Sequence, residues 1–262
     1  MVGMVIVIVL VLCAIFANWI APYDINMQDP SNRFAYPSLS HPLGTDNYGR
    51  DILSRIIYGG RISLLVSFMA VAISSIIGSL IGAVSGYFGG KVDVIIMRLM
   101  DMMMAIPGTL LAICVSAMLG SGVWQTAVAV AVGGIAGGSR MMRATALSIR
   151  GEEFIEAARA CGSRHLRIIL THIIPNCLAP LIVECTLRLG GNIMMISGLS
   201  FIGLGVQPPT PEWGSMLNAG REFIRQFYPL ITFPGLAIML TMFGFNMFGD
   251  GLRDAMDPKL KD

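Results

Sequence analysis

EEFIEAARACGSRHLRIILTHIIPN, residues Glu152–Asn176, is the one long charged run set between hydrophobic blocks. Its charges, Glu152, Glu153, Glu156, Arg159, Arg164 and Arg167, all precede the apolar run that begins at Ile168. The acids come first, where the partial positive charge of a helix N-terminus favours carboxylates. Gly162 then interrupts, as a glycine just past a helix end does. Ser163 has a side chain suited to capping a second helix, and Pro175 is expected to stop that helix. The stretch reads as two short helices with a bend between them, lying outside a bilayer.

The chain around it is apolar. Hydrophobic residues make up 55% of the 262 positions and charged residues 13%, where a soluble domain carries about a quarter charged. Several uncharged runs are long enough to cross ~30 Å of hydrocarbon, so the expected class is an all-α, polytopic membrane protein. The net charge of +2 comes from dispersed cations, which argues against a nucleic-acid surface. Cys13, Cys114, Cys161, Cys177 and Cys185 show no paired spacing. They are expected to be free thiols packed as small apolar groups, with no disulfide or metal framework.

Six spans are expected. The first is residues 1–21, free of charge and ended by Pro22 and Asp24. A cleaved signal peptide is the rival reading, but the run lacks a basic lead-in and a small-x-small site near Ala17. The second is Ile62–Gly90. The third and fourth share the charge-free block Met102–Ser139, 38 residues, divided at Gly120-Ser121-Gly122. The fifth is Leu178–Leu204 and the sixth Tyr228–Phe248. An even number puts both termini on one side. Placing them inside gives eleven cytoplasmic Lys and Arg against six outside, so the positive-inside rule favours N-in, C-in and a cytoplasmic Glu152 stretch. The expected divisions are residues 1–60 (first helix and outer loop), 61–250 (the remaining spans with the Glu152 loop) and 251–262 (tail).

Gly78, Gly82 and Gly86 recur every fourth residue, as do Gly133/Gly137 and Gly134/Gly138. Such small-residue faces let helices approach closely in lipid. Catalytic patterns are absent. Gly86–Val92 hints at a phosphate loop, but Ser85 stands where glycine is needed and Val92 where Ser or Thr is needed. His41, His165 and His172 are scattered, with no metal-binding or triad constellation, so no catalytic or metal-binding residue is expected. Glu184 and Arg188 lie one turn apart in the fifth span. They could line a pathway or tie that span to a neighbour. Arg98 and Asp101 are expected to pair at the inner end of span three, with Pro107 kinking the helix. In the first outer loop, the pairs Asp46/Arg50 and Asp51/Arg55, with Ile52, Ile56 and Ile57 opposite, read as an amphipathic surface helix. Pro208, Pro209 and Pro211 stiffen a second outer loop, and Trp213 suits the membrane interface.

Glu156-Ala157-Ala158, three residues, Gly162, then a hydrophobic stretch to Pro175 resembles the cytoplasmic EAA loop of ABC-importer permeases. Three further segments are similar to the dipeptide/oligopeptide/nickel branch of that family and its C-type subunit. They are HPLGTDNYGRDILSRIIYGGRISL (His41–Leu64), LSFIGLGVQPPTPEWGSML (Leu199–Leu217) and FGDGLRDAMDPKLK (Phe248–Lys261). His172 stands where the loop usually has an aliphatic residue, Ile174 stands for the usual leucine before Pro175, and the cytoplasmic N-terminal tail usual in the branch would be missing. The resemblance implies a type I importer permease fold that forms half of a translocation pathway. Glu156, Ala157, Ala158, Gly162 and Pro175 would couple it to ATPase subunits. It also implies a second, homologous permease subunit, two ATP-binding cassette subunits, an extracytoplasmic substrate-binding protein and a bacterial or archaeal cytoplasmic membrane. ATP would be bound by the partners, and this chain would hold no cofactor and catalyse no reaction. Di- or oligopeptides are the expected substrates, with nickel or a metal chelate as the alternative within the family. A secondary transporter or channel would need acids in several spans, and a membrane-embedded enzyme would need a catalytic constellation.

Overall fold

A computed structural model describes residues 1–256. Among the described residues the regular structure is helical, with one isolated bridge between Thr45 and Asp51. Helix α1 (Val2–Ile15) and the short α2 (Ala17–Ile20) build the first apolar run, with a jog at Phe16. Helix α3 (Ile52–Phe88) starts well before the expected Ile62 and runs 37 residues. At 1.5 Å per residue it is about 55 Å long, more than a bilayer core. Its start is set by Asp51, whose carboxylate accepts from the Ser54 N–H at 2.8 Å and the Ser54 hydroxyl at 2.7 Å.

The expected third span is broken. Helix α4 (Gly90–Met104) and helix α5 (Gly108–Leu119) meet at 84° across Ala105–Pro107. The kink expected at Pro107 is there, because proline cannot donate within a helix and restricts the residue before it. Helix α6 (Val123–Ile149) follows the Gly120–Gly122 turn. Two ion pairs fix α4 to α6. Arg143 holds Asp93 with Nε and Nη2 both at 2.5 Å, and Arg140 holds Asp101 at 2.5 Å. The expected Arg98/Asp101 pair does not form, since Asp101 reaches across to α6 instead.

The Glu152 stretch contains α7 (Glu153–Ala160), α8 (His165–Ile168), a π turn over Ile169–Ile173 and α9 (Ile174–Asn176). Then come α10 (Leu178–Phe201), α11 (Trp213–Gly220) and α12 (Pro229–Met256). Helix α12 passes Phe248 and carries the first part of the expected tail. Positions 257–262, including Lys259 and Lys261, lie outside the described residues. Helices α3, α10 and α12 are each long and apolar enough to cross a membrane, and the bent pair α4–α5 would make a fourth span.

Helices α3 and α6 run parallel, Gly78, Gly82 and Gly86 facing Gly138, Met142 and Ala146 in turn. The expected close approach is realised. A Cβ on Gly82 would stand 2.3 Å from the Ser139 carbonyl oxygen. The glycines of α6 serve differently. Gly134, Gly137 and Gly138 make room for the Arg188 guanidinium, and Gly133 faces the Gly108 backbone. Helix α10 runs against α3 through Ser67 to the Leu189 carbonyl and Ser75 to Cys185. Helix α12 runs against α10 with Gly249 at Leu187, and α1 runs against α12 with Gly3 at Met247 and Ile6 at Gly244. All five cysteines are free thiols. Cys177 is buried, whereas Cys114 and Cys161 are exposed rather than packed.

Candidate functional site

The Glu152 stretch forms a two-helix loop seated on one end of the α3/α6 pair. The acids Glu153 and Glu156 fall in the first turn of α7, and Arg159 in its last, matching the charge order to the helix dipole. Gly162 stands at φ +75°. The Gly162 N–H donates to the Arg159 carbonyl at 2.9 Å and the Ser163 N–H to the Ala158 carbonyl at 3.0 Å. This paired closure of a helix end needs a left-handed residue, which glycine takes without a Cβ penalty. Ser163 is thus spent closing α7. It does not cap α8, whose N-cap is Arg164 with no side-chain cap.

Pro175 does not end the second helix. It lies in the first turn of α9, after the π turn, where the Ile174 N–H donates five residues back to Ile169. The ladder has already left α register where the missing proline N–H falls. Asn176 Nδ2 donates to the His172 carbonyl at 2.6 Å, and the chain turns into α10 at the buried Cys177.

The loop has two faces. Ile155, Ile168, Ile169 and Ile173 are buried against Ala83, Tyr87, Met142 and Ala146. Full burial of one isoleucine contributes roughly 1.5–3 kcal/mol, so four of them tie the loop firmly to α3 and α6. On the other face Glu156 and Ala157 are exposed, with Leu166 at 66% and Leu170 at 46%. One further contact was not legible in the sequence. The Tyr87 hydroxyl and His165 Nδ1 are 2.8 Å apart, and the Arg159 guanidinium lies 5.0 Å over the Tyr87 ring. No local pattern connects positions so far apart in the chain.

Glu184 and Arg188 do pair, Arg188 Nε donating to Glu184 Oε1 at 2.8 Å. Arg188 Nη1 also donates to the Gly134 carbonyl at 2.6 Å. The pair therefore links α10 to α6.

At the other end of the molecule the amphipathic surface helix is not formed. Asp46, Arg50, Asp51 and Arg55 are all buried. Asp46 and Arg50 pair as expected at 2.6 Å, but Asp51 caps α3 and faces His41 Nδ1 at 3.0 Å, while Arg55 turns toward Asp46 and the Ile25 carbonyl. Trp213 is also buried rather than interfacial, its Nε1 donating to the Ile56 carbonyl at 3.0 Å. Beside it Glu212, unremarked in the sequence, is fully buried at the N-cap of α11. Its carboxylate accepts from the Ser215 N–H at 2.9 Å and the Ser63 hydroxyl at 3.1 Å. Burial pushes its pKa above the ordinary glutamate value, against the lowering effect of those hydrogen bonds.

Residues 78–262 match the family described as "Binding-protein-dependent transport system inner membrane component". Residues 1–40 match the "N-terminal TM domain of oligopeptide transport permease C". The chain is 46% identical over 260 residues to the dipeptide transport system permease protein DppC of Alkalihalophilus pseudofirmus, covering 99% of this chain and 86% of that protein. It is 42% identical to the di/tripeptide transport system permease protein DppC of Pseudomonas aeruginosa, covering 99% and 88%. It is 47% identical to the glutathione transport system permease protein GsiD of Escherichia coli, covering 97% and 84%. In fold it is similar to a chain of the inward-facing MetNI methionine ABC transporter, with a TM-score of 0.61 at 17% identity, covering 78% of this chain and 96% of that one. With most of its length matched, the chain belongs to the family of binding-protein-dependent transport system inner membrane components.

Proposed function

We propose that this chain is one permease subunit of an ATP-driven peptide importer in a bacterial inner membrane. The observation that carries the proposal is the two-faced loop: four isoleucines anchored on the ends of α3 and α6, with Glu156, Ala157, Leu166 and Leu170 turned outward. An ATPase subunit docking on that outer face would pull α3 and α6 through the buried one, switching the spans between two access states. Gly162 would hold the angle between the two halves of the loop, and Pro175 would mark its junction with α10. Its partners would be a second, homologous permease subunit, two ATP-binding cassette subunits and an extracytoplasmic binding protein. ATP would sit on the partners, and this chain would carry no cofactor. Peptides are the substrate class because the similar permeases are named for dipeptides, di/tripeptides and glutathione.

The helix directions support six crossings. Helices α3 and α6 are parallel, and with both crossing, the bent α4–α5 segment between them would return across the membrane. Helices α10 and α1 oppose α3 and α12 respectively. Both termini would be cytoplasmic, with the loop. The test is reconstitution of the assembled importer in proteoliposomes with its binding protein. ATP-driven uptake of labelled alanylalanine is expected. Uptake of Ni2+ without peptide would overturn the substrate class. With native cysteines replaced, Gly122→Cys should react with an external impermeant thiol reagent and Ser148→Cys should not. The reverse pattern would overturn the orientation.

A further inference from the structure

We propose that the pocket between the Asp46–Arg55 segment and the end of α11 is a peptide-binding site on the permease itself, built to hold a terminal carboxylate. The peptide as ligand rests on the importer reading; the carboxylate chemistry rests on the pocket alone. The pocket encloses about 670 Å3, within the range of roughly 300–1,000 Å3 usual for small-ligand sites. Asp46, Arg50 and Arg55 line it on one side, and Pro209, Asn218 and Glu222 on the other.

Its charge is unbalanced. Asp46 Oδ1 accepts from the N–H groups of Tyr48 at 2.8 Å and Arg50 at 2.9 Å. Asp46 Oδ2 accepts from Arg50 Nε at 2.6 Å, and Arg55 Nε stands 3.8 Å from the same oxygen. Arg50 and Arg55, residues 8% and 5% exposed, thus share one carboxylate. The nearby Asp51 is committed to His41 and the α3 cap. Among the described residues neither Nη of Arg50 donates a hydrogen bond, and Arg55 donates only to the Ile25 carbonyl, at 3.0 Å. The Arg50 guanidinium lies 4.6 Å over the Tyr48 ring. A carboxylate accepts planar guanidinium donors in pairs, and such bonds are strongest where water is scarce. Glu222, exposed on the opposite lip, has no ion-pair partner among the described residues and offers an acceptor for an ammonium group. Arg221 stands beside it on the same lip, so the pocket as a whole is cationic, with one acid placed to meet the ammonium end of a zwitterion.

The test uses the assembled importer in nanodiscs without its binding protein, and saturation-transfer NMR with alanylalanine, its C-terminal amide and its N-acetyl form. Alanylalanine should bind. The amide should bind on the order of tenfold more weakly or worse, the cost of removing hydrogen bonds to a charged group. Arg50→Gln should abolish the preference for the free carboxylate, and Glu222→Gln the preference for the free amine. Arg50 also braces Asp46, so the exposed Glu222 variant and the ligand series keep the proposal testable should Arg50→Gln misfold. Equal binding of the peptide and its amide, or no binding, overturns it. Should peptide not bind while docking of the binding protein weakens in both variants, the pocket receives a protein carboxylate and the proposal is also overturned. The readout needs no turnover, so a failure of peptide uptake in proteoliposomes would count against the importer reading separately.

Discussion

Replacing Gly82 by alanine tests the packing on which the loop's seat depends. The added Cβ would lie 2.3 Å from the Ser139 carbonyl oxygen, 2.8 Å from Met142 Cβ and 2.9 Å from the Arg143 nitrogen. Two of these are backbone atoms of α6, so no rotamer change relieves the clash. Ordinary contact begins at 3.4 Å, so α3 and α6 must part by about 1 Å. Overpacking of this kind costs about 1–3 kcal/mol, set against about 1 kcal/mol gained when alanine replaces glycine within a helix. Gly191 on α10 is the internal control, because a Cβ there meets nothing within 4 Å. Gly191→Ala carries the same propensity gain without the clash. The two variants should therefore differ by about 1–3 kcal/mol. Unfolding by SDS titration in mixed micelles, followed by tryptophan fluorescence, measures the difference. Equal stability of Gly82→Ala and Gly191→Ala would refute the account of the α3/α6 interface. Met142 contributes to both the Gly82 contact and the loop seat, so peptide-stimulated ATP hydrolysis should fall in Gly82→Ala.

Gly162→Val should loosen the α7 end by roughly 1–2 kcal/mol, the cost of a left-handed residue with a side chain. It should lower ATPase co-purification while membrane insertion is unchanged, and Gly162→Asn should be milder. Glu184→Ala leaves Arg188 without its carboxylate between α10 and α6, so assembly should suffer more than in the double Glu184→Ala/Arg188→Ala variant. Recovery of transport in the double variant marks a structural pair, and continued loss with intact assembly marks a pathway role. Glu212 is raised in the fold, so its folded form takes up protons more readily than its unfolded form. Its ionisation therefore costs stability as pH rises above the ordinary glutamate range. Lowering pH from 8 to 5 should raise the thermal midpoint of the wild type relative to Glu212→Gln; parallel pH profiles would remove this cost.

The helical class was legible because charge-free runs and periodic glycines are local signals. Gly162 could be placed for the same reason, since only a left-handed position explains a glycine between two helical charge patterns. Pro175 misled because the π turn before it absorbs the missing donor, an adjustment no single residue announces. Asp46, Arg50, Asp51 and Arg55 misled because their spacing fits a surface helix, whereas α11 and α12 close over them from far along the chain. Burial turned the same charges into a helix cap and a cationic recess. Glu212 shows the converse. It reads as a loop acid until Ser63 and Trp213 enclose it. The relation of Tyr87 to His165 is purely tertiary, arising only once the loop folds back on α3.

The central claim is that the exposed face of the two-helix loop receives the ATPase. The direct measurement places a photo-crosslinking residue at Ala157 or Leu166 in the membrane-embedded importer and identifies the adduct with and without ATP. The account predicts crosslinks to the ATP-binding subunit at both positions, with yields that change on ATP binding. Adducts only to lipid or to the other permease subunit, or yields indifferent to ATP, would contradict it.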